Sequence, residues 1–378
     1  MLGLVAVRTS EGAPEEAPKT FADLLREVYD PGRCTFCLIC LDACAREGCD
    51  AAAVHGDTFE YEPAECQTAG MCYISCPEVK TLDLALQTRY GVNEGPLGRV
   101  LRATCLTSSS WEPRSDDRGA LRSLLTYLFE AGMIDAAVVP APPGTNPTGH
   151  ALIRRGEPVE VPRGDPFHKP QTVRFLRDLW RSEKEPLRLA LVSRPCQTRM
   201  VRRMQLNGVP PSQNVALIIG EFCYGVLSNA RWKRGFFERA VSPQGRLVES
   251  IDVPDDARVR YYDGTESQID LADLYLAFDS SCLSCLDYSN RLADLSVGRA
   301  GSPAGFETVL VRTEAGHQTV GGATNGEYVL DWSAVFGRGG AEAFEAKLIA
   351  SVKEKLISKA RLSRRVGRRL GRPARFRP

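Results

Sequence analysis

No apolar run in this 378-residue chain approaches the ~18 residues that a membrane-spanning helix needs, so these residues hold no helical span. The first residues also lack the charged, apolar and small-residue pattern of a secretory leader. Histidine is scarce, at four residues, and no catalytic base or nucleophile is evident among them. His168 in particular reads as a loop histidine. Charge is nearly balanced, with 48 Lys or Arg against 47 Asp or Glu. No aromatic-rich surface accompanies the basic residues, which argues against nucleic acid as a partner.

Cysteine, by contrast, is abundant. Thirteen cysteines in a chain with neither leader nor span point to metal or cluster ligation in a reducing compartment rather than to disulfides. A cytoplasmic protein, or one peripheral to the cytoplasmic face of a membrane, is expected. Hydrophobic content of 43% and charged content of 25% are those of a globular protein, and the length suits two or three domains. The near-zero net charge hides an asymmetry. From Lys353 onward there are eleven Lys or Arg against one acid, leaving the rest of the chain net negative. Such a tail suits either a solvated helix end or docking to an acidic partner subunit.

Cys34, Cys37, Cys40 and Cys44 form C-x2-C-x2-C-x3-C, the run that wraps [4Fe–4S] clusters in bacterial ferredoxins. A second run, Cys66-x5-Cys72-x3-Cys76-Pro77, would match it if residue 69 were cysteine, but that residue is Ala69. In two-cluster ferredoxins the last cysteine of each run ligates the other cluster. One cluster is therefore expected on Cys34, Cys37, Cys40 and Cys76. The other has Cys44, Cys66 and Cys72, and lacks a ligand. Either Cys49 fills the gap or that site holds three irons. A third group is Cys196, Cys223, Cys282 and Cys285: two cysteines that follow apolar runs (189–193 and 215–220) and a C-x2-C pair. Spacing alone leaves structural zinc open at this third group. Cys105 is left over.

The remaining pattern is mixed α/β. A strand at 2–8, a linker and a helix at 21–29 precede the cysteine runs. Residues 82–104 read as a connector. Helices are expected at 121–131, 172–183, 198–205 and 230–240. Buried strands are expected at 136–139, 189–193, 215–220 and 308–312. Strand-like alternation covers 248–269, residues 150–170 read as an irregular hairpin and loop, and 341–361 as a C-terminal helix. Four parts follow: an extension (1–30), a ferredoxin-like part (31–90), an α/β part (91–330), and a helix with a basic tail (331–378).

Several short motifs carry a family resemblance. They are Pro195-Cys-Gln197, Phe222-Cys-Tyr224, Cys282-x2-Cys285-x-Asp287-Tyr288, Leu292-Ala-Asp294, Gly298, Gly301-Ser-Pro303, Gly305 and Val311-Arg-Thr313. Together with the 121–139 helix and strand, they make residues 119–316 resemble the beta subunits of coenzyme F420-reducing hydrogenase and F420H2 dehydrogenase. The resemblance implies an oxidoreductase subunit that binds FAD beside a [4Fe–4S] cluster. It implies a hydride exchanged with coenzyme F420, single electrons passed along three clusters, and partner subunits of a redox complex. Gly119, Arg194, Gly298, Gly301, Ser302 and Gly305 are the implied flavin and deazaflavin contacts. For Gly298 to Gly305 a tight turn explains the glycines equally well. Arg118-Gly119-Ala120 replaces the family's double glycine, and Arg163 to Pro170 departs from its lysine-aromatic-Ser-Pro pattern. An F420-active subunit and a relay subunit without the deazaflavin site both remain open.

Overall fold

The computed structural model describes residues 18–332 apart from 32, 35–36, 47, 56–57, 67–69, 80, 92–94, 96, 111–117, 143, 165–168, 228–245, 247, 253–256, 270–273, 275–277, 280, 283–284, 286 and 304, together with 346 and 349–350. The strand expected at 2–8, the helix at 230–240, Ala69, His168, most of the C-terminal helix and the basic tail lie outside the described residues. No described helix is long and apolar enough to cross a membrane.

The expected first helix begins as α1 (Phe21–Leu24) and continues as a π-helical turn, Leu25–Tyr29. Its apolar face holds a small hairpin, β1 (Ala52–His55) and β2 (Thr58–Tyr61), because Phe21 and Tyr29 both pack on Phe59 with ring centroids 5.5 and 5.3 Å apart. Helices α2 (Ile39–Arg46) and α3 (Met71–Ser75) pack together and carry Cys40, Cys44 and Cys72. Residues 82–104 are not a plain connector. They form α4 (Asp83–Tyr90), closed by Gly91 in the left-handed region at φ 62°, and lead into β3 (Arg102–Ser108).

The remaining elements are α5 (Gly119–Glu130), β4 (Ala136–Pro140), β5 (His150–Arg154), α6 (Thr172–Ser182), β6 (Leu189–Ser193), α7 (Pro195–Leu206) and β7 (Val215–Glu221). Then come β8 (Val248–Asp252), β9 (Ala257–Tyr261), β10 (Glu266–Ile269), β11 (Leu295–Gly298), β12 (Glu307–Val311), α8 (Glu314–Asn325) and β13 (Val329–Asp331). Strands β8 to β10 form a separate antiparallel sheet where alternation was expected. The others join β3 in one eight-stranded mixed sheet of order β13-β3-β12-β11-β7-β6-β4-β5. Its centre, β11-β7-β6-β4, is parallel, and the flanking pairs are antiparallel.

Parallel strands need cover on both faces, and the apolar runs supply it. Alternate residues Val139, Val192 and Ile219 face Leu121, Leu124 and Leu128 of α5 and Val320 of α8. Their neighbours Val138, Leu191 and Ile218 face Leu176 of α6 and Val201 of α7. Helix α8 does not show in the sequence because Gly321, Gly322 and three β-branched residues depress its helix propensity. Gly322 is nonetheless required where it stands. A Cβ there would lie 1.8 Å from the Tyr127 hydroxyl of α5.

Candidate functional site

The loops that follow β6, β7 and β11 leave the sheet at one edge, the carboxyl ends of its parallel strands, where open α/β sheets gather their sites. Cys196 does not lie in a loop ahead of its helix, as the spacing suggested. It occupies the first turn of α7, behind Pro195 at the first helical position. The helix N-terminus favours negative charge at that point. Burial pushes the Cys196 thiol well above its ordinary range, and Cys223, Cys282 and Cys285 push the same way, so the four thiols lie close enough to sense one another. Cys223 follows β7 and is pinned by its N–H to Tyr288 O at 2.8 Å. The Val226 N–H donates to Cys282 Sγ at 3.3 Å.

A cation stands beside these thiols. Lys169 Nζ lies 2.7 Å from Asp279 Oδ1 and donates to Ser281 Oγ at 2.5 Å. Burial opposes its charge, but Cys282, Asp279 and Cys196 outweigh that and raise its affinity for the proton.

The N-terminal cysteines gather in two groups. Cys40 is raised by burial and by Cys37, Cys76 and Cys34, with Cys72 a weaker neighbour. Burial raises Cys76 to about 12. In the second group burial lifts Cys44 to about 12, reinforced by a side-chain hydrogen bond to Cys49. Burial also lifts Cys72 to about 11, with Cys66 and Cys49 as its thiol neighbours. Cys49 Sγ donates to Glu65 O at 3.6 Å, and Cys44, Cys49 and Ala51 form one buried cluster with Cys66 packed against it. Among the described residues no three His, Cys, Asp or Glu side chains close on a single metal ion. Cys105 is buried on β3, in register with Thr308 and apart from all three groups.

Helix α7 ties the N-terminal part to the sheet. Its Met200 and Met204 pack with Cys37, Ile39 and Val173. Arg199 Nη2 pairs with Asp83 Oδ1 at 2.7 Å, and Arg177 of α6 pairs with Asp42 of α2. Arg202 and Arg203 are buried and engaged within the protein.

The residues expected near a flavin lie along the same sheet edge, with the turn reading well represented among them. A Cβ on Gly298 would lie 2.2 Å from the Phe222 ring, so its bareness admits that ring. Gly301 and Gly305 sit at φ 83° and 82°, and Ser302 Oγ donates to Arg299 O. Gly119 opens α5, where one first-turn N–H, that of Leu121, already donates to Glu307 Oε2 at 3.1 Å. Arg118, the residue before Gly119, forms a 2.8 Å ion pair with Glu221 at the end of β7. Arg194 precedes α7, and its guanidinium approaches Gly164.

Residues 187–330 match the family described as the C-terminal part of coenzyme F420 hydrogenase/dehydrogenase beta subunits. Among curated relatives, the coenzyme F420-dependent sulfite reductase of Methanocaldococcus jannaschii is 25% identical over 78% of the chain, which spans 46% of that protein. The F subunit of F(420)H(2) dehydrogenase from Methanosarcina mazei is 27% identical over 54% of the chain, which spans 58% of it. A coenzyme F420 hydrogenase beta subunit of Methanosarcina barkeri is 26% identical over 57% of the chain and 76% of its own length. The mixed α/β fold is shared with a chain of the solved F420-reducing [NiFe] hydrogenase complex from M. barkeri. That match has a TM-score of 0.59 and 23% identity, and covers 71% of this chain and 92% of that one.

Lys169, Asp279 and Asp83 gave no signal in the sequence. Each owes its importance to a partner far off along the chain or to the thiols around it. Cys49, beside Cys44, did give one. Cys49→Ala is expected to remove at least one iron, since Cys44, Cys66 and Cys72 alone would hold at most a three-iron site. Iron analysis of anaerobically purified protein checks this, and full retention of iron would count against Cys49 as a ligand.

Proposed function

We propose that this protein is a flavo-iron–sulfur electron-transfer subunit of an oxidoreductase complex. It exchanges a hydride with coenzyme F420 and passes single electrons to a partner hydrogenase, dehydrogenase or reductase in the cytoplasm. The observation that supports this most is the gathering of twelve of the thirteen cysteines into three groups of four, two of them joined through one helix. When bound, FAD would convert a two-electron hydride into single electrons, and [4Fe–4S] clusters would carry those one at a time.

The chain's own residues fit these groups. Cys196, Cys223, Cys282 and Cys285 would hold the central cluster, with the α7 N-terminus and Lys169 offsetting its negative charge. Cys34, Cys37, Cys40 and Cys76 would hold the next, and Cys44, Cys49, Cys66 and Cys72 the outer one. Burial of these thiols in protonated form disfavours bare thiolates and suits ligation that displaces the protons. Gly119, Arg194, Gly298, Gly301, Ser302 and Gly305 would line the flavin along the sheet edge, between the central cluster and F420.

A second reading has an observation of its own. The Arg118–Glu221 ion pair stands beside Gly119, where Ala120 takes the place of the family's second glycine. A relay subunit without an F420 site, fed by another donor such as ferredoxin, would tolerate it. Mixing anaerobically purified protein with reduced coenzyme F420 separates the two. The F420-active reading expects about twelve irons and one flavin, with flavin and cluster absorbance bleaching together. Full flavin loading without bleaching would overturn it in favour of the relay.

A further inference from the structure

Arg203 is the largest fully buried side chain among the described residues, and its burial is unusual in what it touches. Its Nη1 donates to Cys76 O at 2.5 Å and to Ile74 O at 3.2 Å. Its Nη2 donates to Val79 O at 2.5 Å and to Asp83 Oδ1 at 2.9 Å. Its Nε is buried with no acceptor among the described residues. Three carbonyls of one short segment, residues 74–79, thus converge on a single guanidinium, and that segment carries Cys76. The arginine belongs to α7, whose first turn holds Cys196. Seven residues separate them, about 10 Å along the axis at 1.5 Å per residue. A neutral side chain would hold the helix against this segment without the cost of dehydrating a cation.

We propose that Arg203 sets the reduction potential of the cluster held by Cys34, Cys37, Cys40 and Cys76, making it the favoured acceptor of electrons leaving the central cluster. This rests on the ligand assignment proposed above. Reduction brings one electron from the central cluster and adds one negative charge, with no bond made or broken. A buried cation stabilises that charge far more than a solvated one would. Cluster potentials respond to local charge, hydrogen bonding and burial, all of which Arg203 supplies at Cys76. Asp83 counterbalances it, so the pair acts as a graded charge rather than a full one.

The test is a potentiometric titration of the whole protein, following each cluster by its electron paramagnetic resonance signal, with iron content measured alongside. Arg203→Met, similar in volume and uncharged, is expected to shift the reduction equilibrium of that cluster at least tenfold toward the oxidised form. That equals about 59 mV for a one-electron couple. The central cluster should move little, and Arg203→Lys should recover part of the shift. If Arg203→Met fails to fold, Asp83→Asn serves instead, because it keeps the guanidinium and removes its counter-charge. The same cluster should then shift in the opposite direction, toward the reduced form. Iron-replete variants with unshifted potentials would reduce Arg203 to a structural clamp and overturn the proposal. A parent protein with no N-terminal cluster signal would overturn the ligand assignment and this inference together.

Discussion

Replacing Cys196 by serine is expected to abolish electron flow from reduced coenzyme F420 to a one-electron dye while leaving flavin binding in place. The side chain lies in the first turn of α7, where the helix terminus, three thiols and Lys169 meet. A serine hydroxyl loses its proton far less readily than a thiol and cannot bridge to iron as a soft ligand. Loss of an outer-shell partner costs metal sites roughly 10–100-fold, and loss of the ligand itself should exceed that. Iron should fall by at least one per chain, with the N-terminal signals intact. Cys105→Ser is the control, since Cys105 sits between strands and apart from the three groups, and it should keep its iron. Dye reduction at the parent rate by an iron-replete Cys196→Ser protein would remove Cys196 from the ligand set.

The parts of this architecture that were legible in the sequence are those with short-range signals. Buried parallel strands announce themselves as unbroken apolar runs, so β4, β6 and β7 fall within a residue of expectation. Cysteine spacing is a short-range signal of the same kind, and thiols such as Cys34, Cys37, Cys40 and Cys76 lie near one another. What escaped has long-range causes. Helix α8 follows from its packing against α5, with Gly322 giving way to Tyr127, and no helix propensity marks it. Strand β3 was hidden in an expected connector because its place depends on β12 and β13, about two hundred residues away. Lys169 is ordinary in sequence and matters only because Asp279 and Ser281 fold back onto it. The arginines of α7 show the limit most plainly: helical spacing gives their positions but not what docks on them.

Asp294→Ala is expected to be the most destabilising single change in the sheet domain. Asp294 Oδ2 accepts the Ile218 N–H at 2.7 Å, and Oδ1 accepts the Thr313 hydroxyl at 2.8 Å. Arg202 Nη2 lies 2.9 Å from Oδ2, as an ion pair rather than an aligned hydrogen bond. One carboxylate therefore joins β7, the start of α8 and helix α7, with both charged side chains more than nine-tenths buried. Arg202 in turn donates to Leu292 O and stacks 4.6 Å over the Tyr90 ring at the end of α4. Removing the acid strands a buried guanidinium and a buried N–H, and breaking such a pair typically costs about 3–5 kcal/mol. Chemical denaturation of the anaerobic protein should show the unfolding midpoint falling accordingly. Because Arg202 adjoins Arg203, the loosened helix should also expose the contact between α7 and the segment carrying Cys76. Faster proteolytic cleavage between residues 80 and 100 would report that exposure. A parent-like midpoint would mean that water or a shifted side chain replaces the carboxylate, and that the three elements are held by their apolar contacts alone.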